Sequence, residues 1–357
     1  ENGLRCVYHG WKFDTTGTCT DMPNEPAESN FKHKIHATAY PCVERNGIIW
    51  TYMGPRQTPP PLPELLANLV EGWQVSAVLR ECNYMQALEG DIDTLHWGFL
   101  HAGHLPNEKT IPGTPDYYAT RHRNARMEVV EHKVGTSYGA YRPAGEDTDY
   151  WRMANFMLPF YTQNPTQLLG RKSMGNAWVP LDDEHCMVWQ FVDPTPGSDE
   201  GIGGLKQGRF RNDPPKPELA GFLPHTTDGL GRWRAKQNAR NDYGIDREWQ
   251  KQNLLYSGMP NGAAAQDTAM QESMGPIYDR TKEHLGTTDG MIIRTRAKLL
   301  NAARALRDSG TIPAGVDEPA LYRMRSGGAV VPRGLSGLEV CKDVLFDRAL
   351  TVDLPVR

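Results

Sequence analysis

The chain has 357 residues, of which 39% are hydrophobic and 23% charged, with a formal net charge of −4. It is long and apolar enough for a full core, most simply in two domains, and its composition excludes a disordered chain. It has no basic excess to attract nucleic acid or an anionic membrane, and no apolar run near the roughly 20 residues of a membrane helix.

Six cysteines, Cys6, Cys19, Cys42, Cys82, Cys186 and Cys341, are scattered too widely for a disulfide framework and point to a reducing cytoplasm. The chain opens on Glu1 with neither an initiator methionine nor a leader, and reads as a fragment whose start lies upstream.

Residues 1–54 hold short β-prone runs at 4–13, 35–42 and 47–53, parted by Gly, Pro and Asn, which predicts part of a small all-β domain. Residues 55–70 begin with a proline-rich stretch that cannot continue a sheet, because proline has no amide to donate, and they are expected to be a linker. In residues 71–357, strand-like alternation at 75–80, 126–133, 150–158 and 186–192 mixes with helical stretches at 83–100, 231–255 and 289–307. This predicts an α+β domain with an antiparallel sheet, a hairpin turn at Asp182, Asp183 and Glu184, and an irregular surface excursion over 193–227.

Two segments carry chemistry. The first is Cys6-Val7-Tyr8-His9-Gly10-Trp11-Lys12-Phe13, in which a thiolate and an imidazole can reach one metal from a tight turn. Spacing alone is weak here, since a core cysteine beside a surface histidine is commoner.

The second is Asp93-x₂-His96-x₄-His101, within a helix expected to be capped by Asn83 and ended by Gly103. About 0.02 such matches arise by chance in a chain of this composition. At 100° per residue Glu89, Asp93 and His96 share a face, while His101 stands about 140° from His96, so convergence calls for a π-bulge between them. Two histidines and a carboxylate on one face of an octahedral Fe(II) leave positions open for O₂ and water. The plainer reading is an amphipathic helix with hydrogen-bonded polar residues.

The octapeptide closely resembles the second ligand half of a Rieske [2Fe–2S] domain, which implies Cys6 and His9 as cluster ligands, with a Cys-x-His pair roughly 20 residues upstream of Cys6. Gln266-Asp267-Thr268-Ala269-Met270-Gln271-Glu272 resembles the late Gln-Asp-x₄-Glu segment of Rieske oxygenases. That resemblance implies Asp267 as the third ligand of a mononuclear iron beside His96 and His101, with Glu272 and Asp279 in reserve. Asp93 resembles the family aspartate that carries electrons between that iron and a neighbouring subunit's cluster without binding iron. His104 is expected to be an outer-sphere or surface residue.

The whole chain, residues 273–286 included, is similar to the terminal oxygenase (α) subunits of Rieske non-haem iron aromatic ring-hydroxylating oxygenases. Its likeness is to the phthalate 4,5-dioxygenase-like group, which also contains aryl-ether O-demethylases. The resemblance implies a Rieske domain, a helix-grip (START-like) catalytic domain and a head-to-tail homotrimer or a multiple of it. It further implies O₂ activation at Fe(II), with electrons from an NAD(P)H-dependent reductase, with or without a ferredoxin. The glycines at 201–204 do not form a nucleotide motif, so NAD(P)H is assigned to that separate reductase. The expected substrate is an aromatic compound, carboxylated if Arg152 pairs with it, although Asp116-Tyr117-Tyr118 lacks the arginine of a dedicated phthalate binder. A zinc hydrolase and a non-catalytic helix-grip binding protein are the rivals, separated by iron content and O₂ dependence.

Overall fold

A computed structural model describes residues 2–29, 31–102, 110–171, 174–193, 201–206, 216–252 and 257–346. The chain divides into two compact units, Glu1–Pro61 and Leu62–Arg357, parted inside the proline-rich stretch. All six cysteines are free thiols. Among the described residues no helix is long and apolar enough to cross a membrane.

In the first unit β1 (Leu4–Arg5), β2 (Lys12–Phe13) and β3 (Cys19–Asp21) form an antiparallel sheet, and β4 (Cys42–Arg45) pairs with β5 (Ile48–Thr51). Asn46 and Gly47, at φ 49° and 79°, supply the left-handed pair that matches a two-residue hairpin turn to strand twist. The strand expected over 35–42 is absent apart from Cys42 and an isolated His36 bridge. Ile35 instead closes a turn onto Lys32, and Pro41 has no amide for a ladder.

The second unit begins with α1 (Leu66–Leu69), β6 (Gln74–Arg80), α2 (Tyr84–Ile92) and α3 (Pro115–Arg121). There follow β7 (Arg126–His132), β8 (Gly135–Pro143), β9 (Thr148–Met157), β10 (Tyr161–Gln163), β11 (Met174–Pro180) and β12 (Cys186–Val192). Then come α4 (Arg247–Gln252), α5 (Ala263–Ser273), α6 (Gly290–Ser309), β13 (Gly327–Pro332), α7 (Gly337–Val340) and α8 (Lys342–Leu345). Eight strands form one antiparallel sheet in the order β6-β12-β11-β10-β9-β8-β7, with β13 also on β9. The four strands expected from alternation are β6, β7, β9 and β12.

One sheet face is covered by α2 and α6: Leu88, Ile92 and Met291 pack on Tyr138, Phe156 and Trp178. Each such large side chain contributes about 1.5–3 kcal/mol by leaving water. The other face buries Trp151, Met153 and Val331 beneath Leu338 and Leu345 of the short terminal helices.

Uncharged side chains join α2 to α5. Gln86 Nε2 donates to Gln271 O (2.6 Å) and Gly275 O (2.8 Å), and Gln271 Nε2 donates to Ala87 O (3.2 Å). Gly90 permits this approach, since a Cβ there would stand 2.6 Å from Gln271 Nε2.

Two helical expectations need correction. The helix over 83–100 stops at Ile92, and among the described residues of 231–255 only Arg247–Gln252 form an α-helix, α4. In the latter, Asn238 and Asn241 bind nearby backbone, and Asp242 and Tyr243 take left-handed φ of 49° and 50°. Polar side chains that satisfy local amides compete with a helix in this way. Glu89 does not face the histidines either: it meets Arg296 at 2.6 and 2.8 Å and Arg280 at 2.9 Å, tying α2 to α6.

His132, at the end of β7, has both ring nitrogens shut from solvent, and burial holds its imidazole down at about 4 from the usual 6.5. The unfolded chain binds this proton below 6.5 and the native chain only near 4. Stability is therefore whole above that window and falls across it, by about 2–3 kcal/mol. Urea midpoints of His132→Leu should drop less between pH 7 and 4.5 than those of the parent; equal drops would exclude this ring as a cause.

Candidate metal centre

The site grows out of the end of α2. Asn83 caps the helix by accepting from Met85 N at 3.1 Å, as its sequence position predicts. Near the other end Asp91 Oδ1 and Oδ2 accept from Asn164 (3.0 Å) and Asn176 (2.8 Å), which anchors the last turn to the sheet.

Asp93 then turns extended, at φ −84° and ψ 126°, and its Oδ1 accepts from Leu95 N at 2.8 Å. A carboxylate binding the amide two residues on is the local competitor that ends a helix. The chain resumes as a 3₁₀ turn at His96–Gly98, braced by Arg123 donating to Gly98 O, and Leu100 N returns to His96 O at 2.7 Å. A break and a tight turn therefore bring the histidines together, in place of the expected π-bulge. Gly103, the expected helix end, and His104 lie outside the described residues.

His96 and His101 have ring centroids 5.0 Å apart, nearly perpendicular at 78°. Asp267, in the second turn of α5, reaches both: its Oδ1 lies 3.1 Å from His101 Nε2 and 3.5 Å from His96 Nε2. One donor atom from each of the three residues lies within 4.8 Å of the others, the compact two-imidazole, one-carboxylate set that suits a divalent ion such as Fe(II).

The remaining ring nitrogens are occupied. His96 Nδ1 stands 3.1 Å from Asp93 Oδ2, and His101 Nδ1 stands 2.7 Å from the amide oxygen of Gln266. Nothing in the sequence assigns Gln266 a role, and its one signal there is adjacency to Asp267.

Burial depresses the His96 imidazole, but the Asp93 hydrogen bond and the charges of Asp267 and Asp93 outweigh it and leave the pKa raised. Burial raises Asp267, yet the His101 hydrogen bond with both imidazoles nearby brings it below the ordinary carboxylate range. Asp93 is likewise lowered, its burial outweighed by His96 and the Leu95 amide.

The reserve acids are engaged elsewhere. Glu272 accepts from Glu81 N (3.0 Å) and the Tyr243 hydroxyl (2.9 Å), and Asp279 caps a 3₁₀ turn through Thr281. Arg152, on β9, is only 4% exposed, contrary to the surface placement usual for a strand arginine. Its Nε donates to Thr94 Oγ1 at 2.8 Å and its guanidinium lies 4.1 Å over the Trp97 ring. In the first unit Cys6 and His9 lie on an exposed loop between β1 and β2, closed by Gly10 at φ 78° with its amide 3.0 Å from Cys6 O.

Comparison with known proteins joins these two regions. Residues 1–41 match the Rieske [2Fe-2S] domain, and residues 51–337 match the family described as LigXa C-terminal domain like. The 3-chlorobenzoate-3,4-dioxygenase oxygenase subunit of Comamonas testosteroni is 41% identical over 94% of this chain and 78% of its own. The phthalate 4,5-dioxygenase oxygenase subunit of Pseudomonas putida is 30% identical over 94% and 74%. The 5,5'-dehydrodivanillate O-demethylase oxygenase subunit of a Sphingobium species is 28% identical over 93% and 67%.

A Rieske domain followed by this catalytic domain defines an oxidoreductase of the oxygenase class. The chain belongs to the α subunits of the Rieske non-haem iron oxygenases, the terminal components that hydroxylate or O-demethylate aromatic compounds. Membership implies an iron–sulfur cluster, a mononuclear iron and electron delivery by a ferredoxin or reductase. The zinc-hydrolase and non-catalytic readings find no support in these relatives.

Proposed function

We propose that His96, His101 and Asp267 hold the mononuclear Fe(II), that Cys6 and His9 supply half of the cluster's ligands, and that the substrate is an aromatic carboxylate anchored by Arg152. The observation that carries the metal reading is the convergence of two imidazoles and a carboxylate to within 4.8 Å. Fe(II) bound there supplies open coordination positions for O₂ beside the substrate. Asp93 holds the His96 ring and is the electron entry, serving a cluster brought by a neighbouring copy in a head-to-tail trimer or a multiple of it. Electrons come from NAD(P)H through a separate reductase, with or without a ferredoxin, in the cytoplasm.

Arg152 supports the substrate class. Among the described residues no carboxylate forms an ion pair with it. Asp116 feels the Arg152 charge only through space, and a buried guanidinium with no carboxylate in direct contact is costly, a cost that a substrate carboxylate offsets through paired hydrogen bonds. Thr94 lies between Asp93 and His96 in sequence, so the arginine that bonds it stands beside the metal-binding segment. The names of the chlorobenzoate and phthalate relatives specify carboxylated aromatics.

The test is a screen of benzoates and methoxylated aromatic acids with NADH, a reductase and ¹⁸O₂. Labelled product or formaldehyde from an aromatic acid is expected; none from any acid defeats the substrate reading. Arg152→Leu should raise KM for that acid about 10- to 100-fold, the loss of a charged hydrogen-bonded partner, and barely move it for the methyl ester. Equal effects on acid and ester would remove Arg152 from carboxylate recognition.

A further inference from the structure

The two imidazoles are alike toward Asp267 and unlike behind. Each turns Nε2 to the same carboxylate oxygen, at 3.5 Å for His96 and 3.1 Å for His101. Behind them, His96 meets the anionic Asp93 at 3.1 Å, whereas His101 meets the neutral amide oxygen of Gln266 at 2.7 Å. Gln266 is 2% exposed and immediately precedes Asp267 in α5, so one helical turn holds the His101 ring at both nitrogens.

We propose that Gln266 is a positioning residue that fixes His101 as the Nδ1–H tautomer and, being uncharged, keeps the two iron-binding imidazoles inequivalent. An amide oxygen can only accept, so the short contact requires a proton on Nδ1 and leaves the Nε2 lone pair for the metal. The partner behind a ligating imidazole sets its orientation and its basicity. Charge makes the difference between the partners consequential. Fe(II) with two neutral imidazoles and Asp267 carries one net positive charge, which Asp93 balances from the His96 side. A second carboxylate behind His101 would make the cluster of groups anionic and strengthen that imidazole as a donor, erasing the distinction between the side that faces Asp93 and the side that does not.

The inference rests on His101 being a ligand, and the test separates the two ideas. Fe(II) affinity is measured by anaerobic titration of the full-length protein with its cluster assembled, beside near-infrared magnetic circular dichroism of the bound Fe(II) and melting of the iron-free protein. Gln266→Leu removes the acceptor at similar volume and should weaken Fe(II) binding about 10- to 100-fold with shifted ligand-field bands. Its iron-free melting temperature should stay with the parent. Gln266→Glu restores the acceptor and should bind Fe(II) at least as tightly as the parent, with ligand-field bands distinct from it. A parent that binds no Fe(II) at this site overturns the ligand assignment and with it this inference. A parent that binds while Gln266→Leu keeps both affinity and bands overturns the inference alone. So does a Gln266→Leu whose loss is matched by a lower iron-free melting temperature and not rescued by Gln266→Glu.

Discussion

Replacing His96 by alanine is expected to empty the mononuclear site of iron and abolish turnover, with little change in melting temperature. The side chain is partly exposed, on a 3₁₀ turn outside the packed face of α2, and its neighbours are the site's own acids. Little hydrophobic burial is lost, so the fold should tolerate the change. The site keeps His101 and Asp267, two donors where three converge. Losing a direct ligand should exceed the about 10- to 100-fold cost of losing an outer partner. Iron quantitation beside a thermal melt decides the matter: a folded variant that retains stoichiometric mononuclear Fe(II) would remove His96 from the ligand set.

Asp93→Asn should separate metal binding from electron flow. Asparagine keeps an oxygen for the Leu95 amide, so the break after α2 survives, but it loses the charge that raises the His96 pKa. Both metal centres should load, because neither loses a ligand. Turnover should nevertheless fall by about 100-fold, the upper range for loss of a partner behind a ligating histidine. In the full-length protein, stopped-flow reoxidation of the reduced cluster, with substrate and O₂ present, should slow in parallel. Loss of the mononuclear iron would make Asp93 itself a ligand and displace Asp267, and reoxidation at the parental rate with normal turnover would leave it no more than a structural part.

Short-range features were legible and long-range ones were not. The Asn83 cap, the alternation of β6, β7, β9 and β12 and the spacing of His96 and His101 are all written within about 20 residues. Ideal helical geometry assigned the wrong device, because an Asp93 side chain that captures the Leu95 amide overrides the periodicity of the preceding residues. It likewise put Glu89 on the metal face, when Arg296, far along the chain, pulls it to α6. Asp267 was reachable only through family resemblance, since nothing in the helix-like run 263–273 distinguishes it from other acids. Gln266 shows the same limit, for its meaning comes from a histidine 165 residues away.

The amide staples between α2 and α5 also bear on which ion the protein carries. Gln86, Gln271 and the backbone of Asn83, which donates to Pro276 O at 2.7 Å, hold the two helices together without any help from the metal. The helix that carries Asp267 is therefore docked on α2 through groups that donate nothing to a metal. A nitrogen and oxygen site follows the general affinity order in which Co(II), Ni(II) and Cu(II) exceed Fe(II) and zinc binds readily. Among the described residues the site offers two imidazoles and a carboxylate, a set that zinc also accepts, so the choice of ion falls in large part to the cell's metal supply, and a zinc-loaded chain would keep the same amide staples yet lack the redox chemistry that O₂ requires.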